Sequence, residues 1–142
     1  MRPTRHETML KIAETIGERS TCCRRKVGCV LTDEHGRVLC VAHNGVAMDQ
    51  PHCTDSPCLG ANLPSGVGLD LCLAIHAEQN ALAFCGDTMK IATCYVTASP
   101  CITCIKSLLN TSCKTIVFKE EYPHTEAAHL WQSAGRSWIH YG

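Results

Sequence analysis

Nothing constrains the fold of this chain more than two short motifs, His76-Ala77-Glu78 and Pro100-Cys101-Ile102-Thr103-Cys104. An imidazole and two thiols this far apart in sequence make one metal site only if the chain between them leaves and returns. The intervening length suits a helix followed by a strand. Three protein ligands leave the fourth tetrahedral position open, the arrangement of a catalytic rather than a closed structural zinc. Glu78 stands two residues from His76, too close to be a second ligand on the same helix face. It is placed to take a proton from water beside the metal and pass it on. Cys101 and Cys104, at i and i+3, share one helix face, and Pro100 suits a helix start. The partial positive charge of a helix N-terminus favours the thiolates that a metal needs. His76 also lies near a helix start, so two helix N-termini are expected to converge on one zinc.

The chain's 142 residues are enough for a single domain over residues 1–142. Lys and Arg total 13, as do Asp and Glu, for zero formal net charge. A nucleic-acid binder advertises a basic excess, so none is expected as a partner. The consecutive Arg24, Arg25 and Lys26 read either as a local phosphate site or as a solvated turn. No apolar run reaches the roughly 18 residues of a membrane span, and the first residues are too polar for a secretory leader. A cytoplasmic location is expected. In that reducing compartment the 12 cysteines argue for metal sites over a disulfide framework. Cys29, Cys40, Cys94 and Cys113 sit in apolar stretches, where a thiol packs as a small hydrophobic group.

Apolar spacing predicts a helix over about residues 4–19 and a β-hairpin from runs 27–31 and 38–42. Residues 44–70 are rich in Pro, Gly, Asp and Asn without periodicity. A segment of that kind in a small domain is usually functional or pinned, and His52, Cys53, Cys58 and Cys72 make a metal the obvious pin. Beyond it the pattern alternates: helix 75–84, strand 91–97, helix 101–109, strand 114–118, helix 125–133 with Gly135 as its stop, and strand 136–140. Such alternation calls for a largely parallel sheet flanked by helices.

The H-x-E plus P-C-x-x-C combination resembles the zinc nucleobase and nucleotide deaminases. Over residues 8–141 the chain is similar to the deoxycytidylate (dCMP) deaminases, especially the bacterial and phage type. The resemblance rests on Ser20-Thr21-Cys22-Cys23-Arg24-Arg25-Lys26-Val27-Gly28, Asn44-Gly45, Pro51-His52-Cys53, Cys58-Leu59, Leu71-Cys72, His76 to Ala81, Tyr95 to Cys101, and Ile116-Val117-Phe118 with Tyr122. It implies a three-layer α/β/α cytidine-deaminase-like fold with a five-stranded mixed sheet. It also implies hydrolysis of dCMP to dUMP and ammonia with Zn²⁺ held by His76, Cys101 and Cys104 and with Glu78 as proton shuttle. Asn44 would contact the deoxyribose, and the backbone at Ala77 and Ser99 would read the pyrimidine edge. Arg24 and Lys26 would meet the 5′-phosphate, and Tyr122 would line the pocket. Cys22, Cys53, Cys58 and Cys72 match a second, structural zinc site, for which His52 or Cys23 are substitutes. The family also implies a homo-oligomer, often a hexamer, with dCTP plus Mg²⁺ as activator and dTTP as inhibitor.

Two features depart from the family pattern. Its aromatic-Asn-Gly-x-Pro run is His43-Asn44-Gly45-Val46-Ala47 here, and the following loop lacks the small Pro/Gly residues. These differences bear on allostery and on selection of the monophosphate, and keep open a broader range that includes dCTP or modified dCMP. A polynucleotide editor is disfavoured by the neutral charge. A nucleoside deaminase is disfavoured because those enzymes commonly carry cysteine where His76 stands. A zinc-stabilised binding module would leave Glu78 without a role.

Overall fold

Leu10, Ala13 and Gly17 fall on one face of the first helix, α1 (Arg5–Gly17), and are buried there. Thr4 starts this helix: its hydroxyl accepts the Glu7 N–H at 3.2 Å, satisfying one of the unpaired donors of the first turn. The computed structural model describes residues 1–22, 25–57, 60–64, 73–123 and 125–142. The remaining elements are β1 (Gly28–Thr32), β2 (Val38–His43), α2 (Ala77–Phe84), a 3-10 turn (Thr88–Lys90), β3 (Thr93–Ala98), α3 (Ile102–Leu109), β4 (Thr115–Glu120), α4 (Thr125–Ser133) and β5 (Ser137–His140). Among the described residues no helix is long and apolar enough to cross a membrane.

The sheet runs β2-β1-β3-β4-β5. β1 is antiparallel to both β2 and β3, whereas β3, β4 and β5 are parallel. The sheet is therefore mixed, as expected. Period-two alternation splits its core in two. Val30, Tyr95 and Val117 point to one face and pack with Leu10 and Ala13 of α1. Cys29, Leu31, Cys94, Val96, Ile116 and Phe118 point to the other and pack with α2, α3 and α4 through Ala77, Ala81, Ile105, Leu108, Ala127 and Trp131. Helices on both faces explain why every residue of β1 is buried. Successive crossovers of one hand put α3 and α4 on the same side. Gly28 lets α1 approach β1: a Cβ there would sit 1.7 Å from the Ala13 carbonyl oxygen.

Cys29, Cys94 and Cys113 are buried and Cys40 is half-buried. The Cys29 and Cys94 sulfurs lie 3.7 Å apart across neighbouring strands. Arg136 closes the C-terminus of α3, donating to the carbonyls of Leu108, Leu109, Thr111 and Cys113, so the last turn is satisfied by a cation. Within the loop after β2, Gly45 and Ile75 form an isolated antiparallel bridge. That bridge removes Ile75 from the helix the apolar pattern assigned to it. α2 starts two residues later, with His76 as its N-cap.

Candidate active site

The sheet register gathers four segments at one end. Cys29 pairs with Val96 and Gly28 with His43, so the chain before β1 and the chain after β2 both lie beside the C-terminal end of β3. Ala98 pairs with Glu120, which adds the segment after β4. The carboxyl ends of parallel strands are where open α/β sheets place ligand sites.

His76 and Cys101 are the N-caps of α2 and α3, and Cys104 is the third residue into α3. The Gln79 Oε1 accepts the His76 N–H at 3.1 Å, fixing the entry to α2. His76 Nδ1 lies 3.4 Å from Cys101 Sγ and 3.3 Å from Cys104 Sγ, and all three donor atoms lie within 4.8 Å of one another. Zinc bonds of about 2.0–2.1 Å to nitrogen and 2.3 Å to sulfur, meeting at tetrahedral angles, set N···S at about 3.6 Å and S···S at about 3.8 Å. The donor set therefore fits zinc with little movement. Among the described residues it is the one group of three or more His, Cys, Asp or Glu ligand atoms so gathered.

Glu78 is 5% exposed. Burial raises its carboxyl above the ordinary value, and the Cys104 sulfur is within hydrogen-bonding reach. The two thiols behave oppositely without metal. The Cys104 thiol beside it, with help from His76, brings Cys101 down to about 3. The same contact with Cys101, together with burial, pushes Cys104 far up. His76 is raised, chiefly by its bond to Cys101. The metal-free site thus holds one thiolate facing one imidazole, and a protonated second thiol. Zinc requires both sulfurs as thiolates and a neutral imidazole. Zinc uptake near pH 7 is therefore expected to release the Cys104 proton, and affinity rises with pH by about tenfold per unit for that proton. Calorimetry in buffers of different ionisation heat measures this directly. Uptake without proton release would contradict the assignment.

The description "cytidine and deoxycytidylate deaminase zinc-binding region" matches residues 3–120. The chain belongs to this deaminase family. It is 33% identical over 124 residues to deoxycytidylate deaminase of Saccharomyces cerevisiae, covering 86% of this chain and 39% of that one. It is 34% identical over 126 residues to the deoxycytidylate deaminase of Mycobacterium phage D29, covering 84% of this chain and 98% of the relative. The chain thus spans about two fifths of the fungal relatives it matches and nearly the whole of the phage one. Among solved structures, the dCMP deaminase of cyanophage S-TIM5 in complex with dCMP and dUMP is 26% identical. It superposes with a TM-score of 0.71 over 99% of both chains. Its apo form gives a TM-score of 0.75 at 25% identity. The three-layer cytidine-deaminase-like architecture expected from the sequence is the one observed.

In this deaminase-family chain Ala77, Ser99, Asn44, Lys26 and Tyr122 fall around the same end of the sheet. Ala77 is fully buried at the first position of α2. Ser99 is buried; its N–H donates to the Glu120 carbonyl at 2.9 Å, and its hydroxyl accepts the Tyr122 N–H at 2.6 Å. Asn44 is buried as well. Its Oδ1 accepts the Val27 N–H at 2.9 Å and its Nδ2 donates to the Arg25 carbonyl at 2.7 Å, so its carboxamide clamps the chain before β1. Lys26 is exposed. Arg24 lies outside the described residues, as do Cys23, Cys58 and Cys72 of the second cysteine set. Cys22 and Cys53 are both buried, and a bond from the Thr54 N–H to the Thr21 carbonyl at 3.2 Å joins their neighbours. Sequence reasoning passed over Asn80, whose Nδ2 donates to the His43 carbonyl at 2.9 Å and ties α2 to the loop after β2. Arg25, read in the sequence only as part of a basic run, has its guanidinium over the Tyr122 ring, 4.6 Å from the ring centroid.

Proposed function

We propose that the chain is a single-domain, zinc-dependent hydrolytic deaminase that converts dCMP to dUMP and ammonia. The observation that carries this reading is a site of three donor atoms, one short of a zinc tetrahedron, with a buried carboxyl two residues from one of them. Its likeness to phage dCMP deaminases over nearly their whole length supports the choice of substrate. Bound zinc supplies Lewis acidity that brings the pKa of water from 15.7 toward about 7. The chain's residues do the rest. His76, Cys101 and Cys104 hold the metal. Glu78, with its pKa raised by burial, accepts the water proton and returns it to the ring nitrogen and then to the departing amine. The Ala77 N–H, in the first turn of α2, is a donor without an intrahelical partner. The Ser99 N–H is already spent on Glu120, so its carbonyl is the group left to face the cytosine amine. Asn44 keeps one amide hydrogen for the deoxyribose once Val27 and Arg25 are served. Tyr122 lines the pocket wall, and Lys26, with Arg24 outside the described residues, is assigned to the 5′-phosphate.

The same reading assigns Cys22, Cys53, Cys58 and Cys72 to a second, structural zinc. It carries a cytoplasmic homo-oligomer, a hexamer by family resemblance, with dCTP–Mg²⁺ and dTTP as candidate effectors. An ammonia-release assay across dCMP, CMP, dCTP, hydroxymethyl-dCMP and deoxycytidine, with and without those effectors, tests it. The expected result is a clear preference for dCMP. Comparable rates on dCTP or the modified nucleotide would widen the substrate range, and no release from any cytosine compound would end the enzyme reading.

A further inference from the structure

Asn80 stands one turn into α2 and is half-buried. Its backbone N–H donates to the His76 carbonyl at 3.0 Å, and its Nδ2 donates to the His43 carbonyl at 2.9 Å. β2 is the edge strand of the sheet. Gly28 and His43 face each other there without exchanging backbone bonds: the Asn44 N–H donates to the Val27 carbonyl, and the Gly28 N–H is spent on the Thr97 hydroxyl at 3.2 Å. The His43 carbonyl therefore points off the open edge, and a side chain from α2 serves it. Asparagine is a poorer helix former than alanine or leucine, so position 80 gives up local helix stability for that one bond.

The Asn80 bond and the Gly45–Ile75 bridge hold one short loop at two points. The Gly45 N–H donates to the Ile75 carbonyl at 3.1 Å, and the Ile75 N–H donates to the Gly45 carbonyl at 2.7 Å. Ile75 precedes the ligand His76, and Asn80 follows it by one turn, with Glu78 between them. On the loop, Asn44 lies between the two tied residues, His43 and Gly45. Its carboxamide is already set by Val27 and Arg25, with one amide hydrogen left for the deoxyribose. A metal ligand, the buried Glu78 carboxyl and the sugar-facing Asn44 thus share one frame. The backbone bridge does not depend on side-chain identity, whereas the second tie depends on one carboxamide, that of Asn80.

We propose that Asn80 is a positioning residue: through the His43 carbonyl it fixes where Asn44 stands relative to His76 and Glu78, a role that rests on the deaminase reading above. Asn80→Leu keeps the shape and the neutral charge but removes the donor. In the zinc-loaded variant kcat/KM for dCMP should fall about 10- to 100-fold with zinc content unchanged, because moving a positioned group by about 1 Å costs up to that much. The deciding readout is a double-mutant cycle with Asn44→Ala. Once the positioned group is gone, adding Asn80→Leu should cost less than about twofold more, whereas a merely structural role would cost the same in both backgrounds. Amide exchange reads the tie without turnover and without the double variant. Gly45 should exchange about tenfold faster in Asn80→Leu, while Val96 in β3 keeps its wild-type rate. An unimpaired Asn80→Leu, equal losses in both backgrounds, or unchanged Gly45 exchange would overturn the proposal. A wild type that releases no ammonia ends the deaminase reading and this role with it; an active wild type beside an unimpaired Asn80→Leu ends the role alone.

Discussion

Glu78→Gln is expected to lower deamination of dCMP by about 100- to 10,000-fold in kcat, with zinc content unchanged. The carboxyl is buried beside the metal ligands, and glutamine keeps its shape but can neither accept nor deliver the proton. A second readout separates this from damage to the fold. Burial raises the Glu78 pKa above its ordinary 4.5, so the metal-free folded chain holds a proton that the unfolded chain has already lost. Between those two pKa values the fold becomes less stable as pH rises. The metal-free glutamine variant should therefore melt above the metal-free wild type near pH 7, and by a smaller margin near pH 4. Turnover within tenfold of wild type would mean that Glu78 is not the proton carrier.

Cys104→Ala should remove one equivalent of zinc per chain and all measurable deamination. Cys104 is fully buried at the third position of α3, and two remaining donors do not hold zinc against competing chelators. The variant also loses the stabilisation that bound metal gives the folded state, about 2.7 kcal/mol when free zinc is a hundredfold above its Kd. Cys113→Ala is the matched control. It removes an equally buried thiol and should cost stability through its cavity while retaining zinc and turnover. Retention of full zinc by Cys104→Ala would mean that the metal sits elsewhere.

The metal site was legible because its logic is local. His76 and the Cys101–Cys104 pair declare themselves by type and spacing, and both occur at helix starts that the flanking residues announce. The α/β/α layering was legible for a related reason: helical and strand periodicities alternate along the second half of the chain. The rim was not. Arg25 meets Tyr122 only because the hairpin turns β1 against β3 and the parallel β3–β4 register carries the chain past Glu120. No local pattern encodes that meeting. The polar Lys119 and Glu120 looked like a strand's end, yet β4 continues through them because Ala98 pairs with Glu120. The start of α2 was misjudged by two residues for the same kind of reason. Ile75 fits the apolar period of the helix, but Gly45 claims it as a bridge partner. The 3-10 turn at Thr88–Lys90 is held by the Asp87 carboxylate accepting the Met89 N–H at 2.9 Å, a cap too short to stand out in a hydropathy pattern.

Diffraction data collected on either side of the zinc absorption edge, from crystals of protein purified without added chelator, bear most directly on the account. An anomalous peak should appear within about 2.0–2.4 Å of His76 Nδ1, Cys101 Sγ and Cys104 Sγ together. Well-ordered side chains at those three positions with no anomalous peak between them would contradict it.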